Sequence, residues 1–300
     1  MNEVKKEKEK EKEIVSSWFR ELRDSIVSSF ENIEDTHCDG PLADKPAGRF
    51  VVSNTKRKSG DNSEAGGGLM SIMRNGRVFE KVGVNISTVF GSLSEGAKTA
   101  MATRKKVSVE KVDDRFWASG ISVVAHMQNP YCPAVHMNTR MFWTPSSWWF
   151  GGGSDLNPCI EVEEDTSSFH SDLKICCDAH DINYYPRFKK WADEYFYIPH
   201  REKTRGVGGI FFDDLSTGDW LRDFKFTQDV GRVFLPTFLT IINRRRNKAW
   251  TEVEKDVQHY HRGLYAEYNL VYDRGTKFGL ETGHDPDAVL MSLPPVAKWY

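Results

Sequence analysis

Between Ile121 and Met141 the chain reads ISVVAHMQNPYCPAVHMNTRM, two short runs around a turn-like centre, Asn129-Pro130-Tyr131-Cys132-Pro133. Pro130 and Pro133 cannot donate ladder hydrogen bonds, so the centre is a loop. The flanking runs, Ser122 to Met127 and Ala134 to Met141, are rich in β-branched and apolar residues and predict strands. Side chains alternate faces along a strand. Ser122, Val124 and His126 therefore share one face of the first run, and His136, Asn138 and Arg140 one face of the second. An antiparallel hairpin centred on Tyr131 would pair His126 with His136, Val124 with Asn138, and Ser122 with Arg140. The opposite face carries Val123, Ala125, Met127, Val135, Met137 and Met141 and suits a core. One apolar face and one face of Ser, His, Asn and Arg describe a pocket floor.

The same reading extends along the chain. Residues Glu3 to Glu13 are Lys and Glu with one Val and nothing to bury, a frayed, solvated helix or a disordered leader. Ile14, Val15, Trp18, Phe19, Leu22, Ile26, Phe30 and Ile33 follow at helical spacing. Leu69–Met73 and Val78–Ile86 flank Asn75-Gly76, a two-residue hairpin signal that asks for positive φ at both turn residues. Gly66-Gly67-Gly68 reads as a flexible approach to a strand, and Ser92 to Thr103 as a short helix or a loop. In WWFGGGSDLNP, Trp148 to Pro158, three glycines permit close backbone approach to something flat or anionic, with Asp155 next. A helix capped by Asp165 or Thr166 runs to about Ala179 with Phe169, Leu173 and Cys176 inward. A second covers Arg187 to Tyr195. Asp219 to His261 is mostly helical with a break at Pro236, and Leu264 to Tyr272 alternates like a final strand. Asp285 or Asp287 caps a last short helix through Met291. Neither repeats nor a linker interrupt the chain. Residues 14–300 thus form a single α+β domain, a large mainly antiparallel sheet flanked by helices, behind the leader 1–13.

Composition narrows the class. The 300 residues carry a net charge of −2, which offers no general attraction to nucleic acid or an acidic membrane. No apolar run reaches the length of about 18 residues that a membrane helix needs. Five cysteines, Cys38, Cys132, Cys159, Cys176 and Cys177, are odd in number and lack the spacing of a zinc ribbon or an iron–sulfur cluster. A reducing cytoplasm suits them. Nine Trp are a mild pointer to a flat ligand.

Two chemistries stand out. His126, His136, His170 and His200 lie beside strand or helix signals, which raises a metal site, though their long spacing matches no local ligand motif. Arg140, Arg201, Arg205, Arg262 and Arg274 lie at strands or strand ends, where guanidinium groups can grip carboxylates. A pocket with several Arg, a His and an Asp suits a polycarboxylate, with His136 as general acid–base.

The motifs SVVAHMQNPYCPAVHMNTR, WWFGGGSDLNP, KKWADEYFYIPHREKTRGVGGIFFDD and YNLVYDRGTKFGLETG, from about Trp18 onward, resemble oxygen-dependent coproporphyrinogen III oxidase. The resemblance implies conversion of the ring A and B propionates of coproporphyrinogen III to vinyls, giving protoporphyrinogen IX. It implies O2 as co-substrate, CO2 and H2O2 as products, and no organic cofactor. Carried over residue by residue, it makes His136 a proton donor and Asp155 and Arg140 catalytic-site residues. It assigns substrate contacts to Ser122, Asn138, Thr139, Arg140 and the Gly283-His284-Asp285 stretch. Bacterial members often have a divalent metal assigned to four histidines, matching His126, His136, His170 and His200. A homodimer through about 265–300 is also implied. Many relatives carry Gly-Gly-Arg where this chain has Gly283-His284-Asp285, so a basic contact is replaced. A non-catalytic tetrapyrrole-binding protein on this scaffold would not need His136 and Asp155, and a metal-dependent hydrolase would need the histidines but not oxygen. The anaerobic route requires a CxxxCxxC cluster motif that this sequence does not contain.

Overall fold

The computed structural model describes residues 2–58, 64–105, 107–281 and 283–300. Its centre is one seven-stranded sheet in the order β1 (Val51–Lys58), β2 (Glu64–Arg74), β3 (Phe79–Ser92), β4 (Arg115–Met127), β5 (Ala134–Thr144), β6 (Ser147–Asn157), then β9 (Gly209–Leu215). Every neighbouring pair is antiparallel. Between β6 and β9 come two helices, α3 (Glu163–Asp178) and α4 (Tyr184–Tyr195), and a two-stranded ribbon, β7 (Tyr197–Ile198) with β8 (Lys203–Thr204). The α+β reading holds, with one domain.

Alternation sets the two faces. Val123, Ala125 and Met127 of β4, Val135, Met137 and Met141 of β5, and Phe150 and Leu156 of β6 point into one core. Two long helices cover it. The first, α1 (Asn2–Asp35), continues through the Lys/Glu segment and buries Val15, Phe19, Leu22, Ile26, Phe30 and Ile33. The second, α5 (Trp220–Arg245), runs straight through Pro236, where a break was expected. Val230, Phe234, Phe238, Ile241 and Ile242 are buried on both sides of that proline, so packing holds the two halves in line despite the lost hydrogen bond. The helix α2 (Glu95–Lys105) occupies the stretch that was open between helix and loop.

Other expectations shift in detail. The β2–β3 connection is a hairpin, but only Asn75 has positive φ, and the pairing of Met73 with Val82 centres the turn on Arg77–Val78, where Gly76 N–H bonds to Phe79 O, and not on Asn75-Gly76. Buried Glu34 shapes it, accepting backbone N–H bonds from Gly48, Arg77, Val78 and Phe79 at 2.6–2.9 Å. The Gly66–Gly68 triplet lies inside β2. Asp165 does not cap α3; it is buried and ion-paired with Arg245 at 2.7 Å. Cys177, not Cys176, is the buried thiol of that helix.

The largest correction is the supposed last strand. Leu264–Tyr272 belongs to α6 (Glu252–Val271), opened by a Thr251/Glu254 capping box. Gln258, Arg262, Tyr265 and Asn269 are buried at helical spacing, as are Leu264 and Tyr268. Alternation over a few residues cannot separate the two periods when a helix is buried this widely. Helix α7 (Arg274–Glu281) follows. Then α8 (Pro286–Val289) runs into a 3-10 turn, Leu290–Ser292, with Asp285 as its cap. These C-terminal pieces lie on the second face of the sheet: Asn85 donates to Ala288 O at 3.1 Å, and the turn packs on β3 and β4.

Candidate active site

The second face is where the polar residues gather. On β5, His136, Asn138 and Arg140 stand opposite Asp155, Gly153 and Gly151 of β6, and opposite Val124, Ser122 and Gly120 of β4. The hairpin register is thus two residues from the one centred on Tyr131. A turn closed by Cys132 N–H to Asn129 O, with Asn129 Oδ1 accepting from Tyr131 N–H, moves the centre toward Pro130. A slip of two preserves facing, so the polar face survives while its partners change. The glycines keep this floor flat. A Cβ on Gly151 would fall 2.7 Å from Asp213 Oδ1 and 3.0 Å from Arg140 Nη2, and one on Gly120 2.9 Å from the Arg140 Cβ.

One chain of hydrogen bonds crosses the floor. Arg140 Nη1 donates to Asn138 Oδ1 at 3.3 Å, and its Nη2 sits 3.1 Å from Asp213 Oδ1 on β9. Asn138 Nδ2 lies 3.1 Å from His136 Nε2, and His136 Nδ1 lies 2.7 Å from Asp155 Oδ1. An amide N–H on one side and a carboxylate on the other fix the neutral tautomer: the proton is on Nδ1 and Nε2 accepts. Asp155 Oδ2 accepts from Arg205 Nη2 at 2.7 Å and Asn157 Nδ2 at 2.8 Å. Burial alone would raise the Asp155 carboxyl, but the Arg205 charge and the His136 bond outweigh it and hold it near about 2. Arg205 is itself caged over the rings of Phe196, Tyr265 and Tyr268 at 4.4–4.8 Å, and Nη1 donates to Asn269.

Of the five arginines singled out, Arg140 stands on the strand floor itself, and exposed Arg274 lies over Tyr195 and Phe211. Arg205 pairs with Asp155, Arg262 with Glu80 and Arg201 with Glu267. Arg140 keeps 36% of its side chain exposed between Asn138 and Asp213 and is able to meet a substrate carboxylate.

The four histidines are not brought together. His126 Nε2 donates to Ser292 O at 2.8 Å, and burial drives its pKa down to about 3. His170 is held by Tyr185 Oη and Val207 O, and His200 by Tyr272 Oη and Glu267. With His136 tied to Asp155, each ring has its own partners. Among the described residues no group of three or more His, Cys, Asp or Glu is placed to hold a metal. As arranged here the set does not fit a shared ion.

The substrate-contact residues divide in the same way. Ser122 and Asn138 are cross-strand neighbours on the floor. Thr139 faces the other way, fully buried on the core side, because its number is odd on a strand whose even positions carry the site. Asp285 is occupied as the cap of α8, accepting from Asp287 N–H. His284 packs 6.0 Å from Phe278, and burial and then Arg57 lower its pKa. Gly283 has φ 75°, so its backbone makes a turn few other residues would. Sequence reasoning missed Asn157 and Asp213. Asn157 is two positions from Asp155 and therefore shares its face, a signal that was available.

A model of the coproporphyrinogen III oxidase family matches residues 14–300. The chain is 48% identical to oxygen-dependent coproporphyrinogen-III oxidase of Rickettsia bellii (strain RML369-C) over 97% of this chain and 99% of that protein. It is 48% identical to the protein of the same name from Rickettsia africae (strain ESF-5) over 96% of this chain and 98% of that one. With the match spanning the sheet, the polar floor and the C-terminal helices, the chain belongs to the coproporphyrinogen III oxidase family.

Proposed function

We propose that the chain catalyses the oxygen-dependent oxidative decarboxylation of coproporphyrinogen III to protoporphyrinogen IX, a step of haem biosynthesis. The observation that carries this reading is the hydrogen-bond chain from Arg140 through Asn138 and His136 to Asp155. For each vinyl formed, a propionate and O2 with one proton become a vinyl, CO2 and H2O2. The floor supplies what that balance needs. Arg140, with Asn138 and Ser122, holds a propionate over the glycine-lined strands. His136 Nε2, unprotonated at rest, takes a proton from the substrate side once the Asn138 amide yields, and returns it as oxygen is reduced. Asp155, ionised because of Arg205, steadies the imidazolium that forms between the two steps.

The domain reading is catalytic residues 14–300 behind a charged extension at 1–13, supported by where the family match begins. We take the enzyme to work as a homodimer through about 265–300, a reading supported by exposed Leu270, Val271, Phe278 and Leu280 on α6 and α7. Free thiols at all five cysteines support a cytoplasmic home. Among the described residues no helix is long and apolar enough to cross a membrane. The test is incubation of the purified chain with freshly reduced coproporphyrinogen III under air and under argon, each with and without chelator. Protoporphyrinogen IX is expected only under air. No product under air would overturn the function, and loss of product with chelator would restore a metal to the account.

A further inference from the structure

Beside the Arg205–Asp155 pair lies a cavity of about 30 Å3 whose walls include His126, Asn157, Arg205, Gln258 and Arg262. Each of these five has one buried polar atom without a partner among the described residues, His126 Nδ1, Asn157 Oδ1, Arg205 Nε, Gln258 Oε1 and Arg262 Nη1, and the Tyr265 hydroxyl on the same walls is a sixth. Their other groups are engaged, which fixes what each free atom must be. His126 Nε2 donates to Ser292 O, so Nδ1 accepts. Asn157 Nδ2 is spent on Asp155, and Gln258 Nε2 on Met127 O at 2.9 Å, so their carbonyl oxygens remain. Arg262 Nη2 already serves Glu80 and Met127 O.

The lining residues thus offer two N–H donors, three acceptors and the Tyr265 hydroxyl. A water needs about 10–15 Å3 of such space, so the volume suits two. Two waters bonded to each other have three protons left for the three acceptors and three lone pairs left for the two N–H groups and the Tyr265 hydroxyl. A metal cation is disfavoured, since two guanidinium groups and no carboxylate form the walls. An anion is disfavoured by the three acceptors. The waters also make no proton wire, because each route to Asp155 passes through a guanidinium or an amide.

We propose that this cavity binds a pair of ordered waters that ties Arg205 and Asn157, which grip Asp155 Oδ2, to the frame of His126, Gln258 and Arg262. Gln258 is then a positioning residue: through the waters it holds the Asp155 carboxylate in place beneath the substrate. The functional half of this inference rests on the proposed role of Asp155.

A high-resolution crystal structure of the full chain should show two peaks within hydrogen-bonding distance, about 2.7–3.2 Å, of these atoms. No peaks, an anomalous metal signal, or xenon entering under pressure would overturn the site. Gln258→Met should lower kcat at least about tenfold with KM little changed, because the carboxylate, not the binding groups, loses its fix. An unchanged kcat would overturn the positioning role. Ala134→Val, from another wall, tests the same point without touching Gln258. It should lower both kcat and Tm if it displaces water, whereas a raised Tm would mean a dry cavity and sink the proposal. If both peaks are present but Asp155→Asn retains full kcat, the reading of Asp155 fails and the water site stands.

Discussion

Replacing Asp155 by Asn keeps the shape of the side chain and removes the charge that Arg205 and His136 hold. The carboxyl sits at about 2 instead of the ordinary 3.8. At about 1.36 kcal/mol per pH unit this is on the order of 2 kcal/mol of stability at neutral pH. The side chain is almost wholly buried, so solvent screening does not discount the figure. Because the folded-state pKa is the lower one, the contribution is present above about pH 4 and disappears as pH falls toward 2. Urea unfolding of wild type and Asp155→Asn at pH 7, 4 and 3 measures it. The gap between them should be on the order of 2 kcal/mol at pH 7, little smaller at pH 4 and roughly half as large at pH 3. A gap that does not shrink with acid, or no gap at pH 7, would refute the reasoning that Arg205 and His136 hold this carboxylate ionised.

Other changes probe separate parts of the account. Gly151→Ala puts a methyl against Asp213 and Arg140, so KM for the tetrapyrrole should rise at least about tenfold with little change in Tm. An unchanged KM would remove Arg140 from substrate binding. Glu34→Ala strands three backbone N–H groups at the β2–β3 turn and that of Gly48 before β1, and should cost about 3 kcal/mol or more in urea unfolding, with wild-type kinetics in the folded fraction. His136→Gln retains hydrogen bonding but cannot exchange a proton near neutral pH. Steady-state kinetics should show kcat lowered by about 100-fold or more at similar KM.

Much of this arrangement could be read from alternation, and the rest shows where alternation stops working. The two faces of β4 and β5 follow from a period of two, and parity survived a two-residue register slip set by the Asn129 side chain. Parity also excludes Thr139 from the floor, which motif likeness alone did not. Arg205 was singled out for its charge, but it lies in the irregular stretch between β8 and β9. No periodicity there could show that its partner is Asp155 and not a substrate propionate. The histidines fail for the same reason. His170 is on a helix and His200 in a 3-10 turn, and nothing in their spacing states which backbone or tyrosine oxygen each will meet. Helix α6 passed for a strand because its buried side spans more than half its circumference near Leu264–Tyr268.

The central claim is that this polar floor removes propionate carboxyls at the expense of dioxygen. An oxygen electrode coupled to CO2 release and product chromatography, with purified chain and coproporphyrinogen III, tests it directly. The account predicts one O2 consumed and one CO2 released for every vinyl group formed, with none of the three under argon. Vinyl formation without oxygen uptake, or oxygen uptake without CO2, would contradict it.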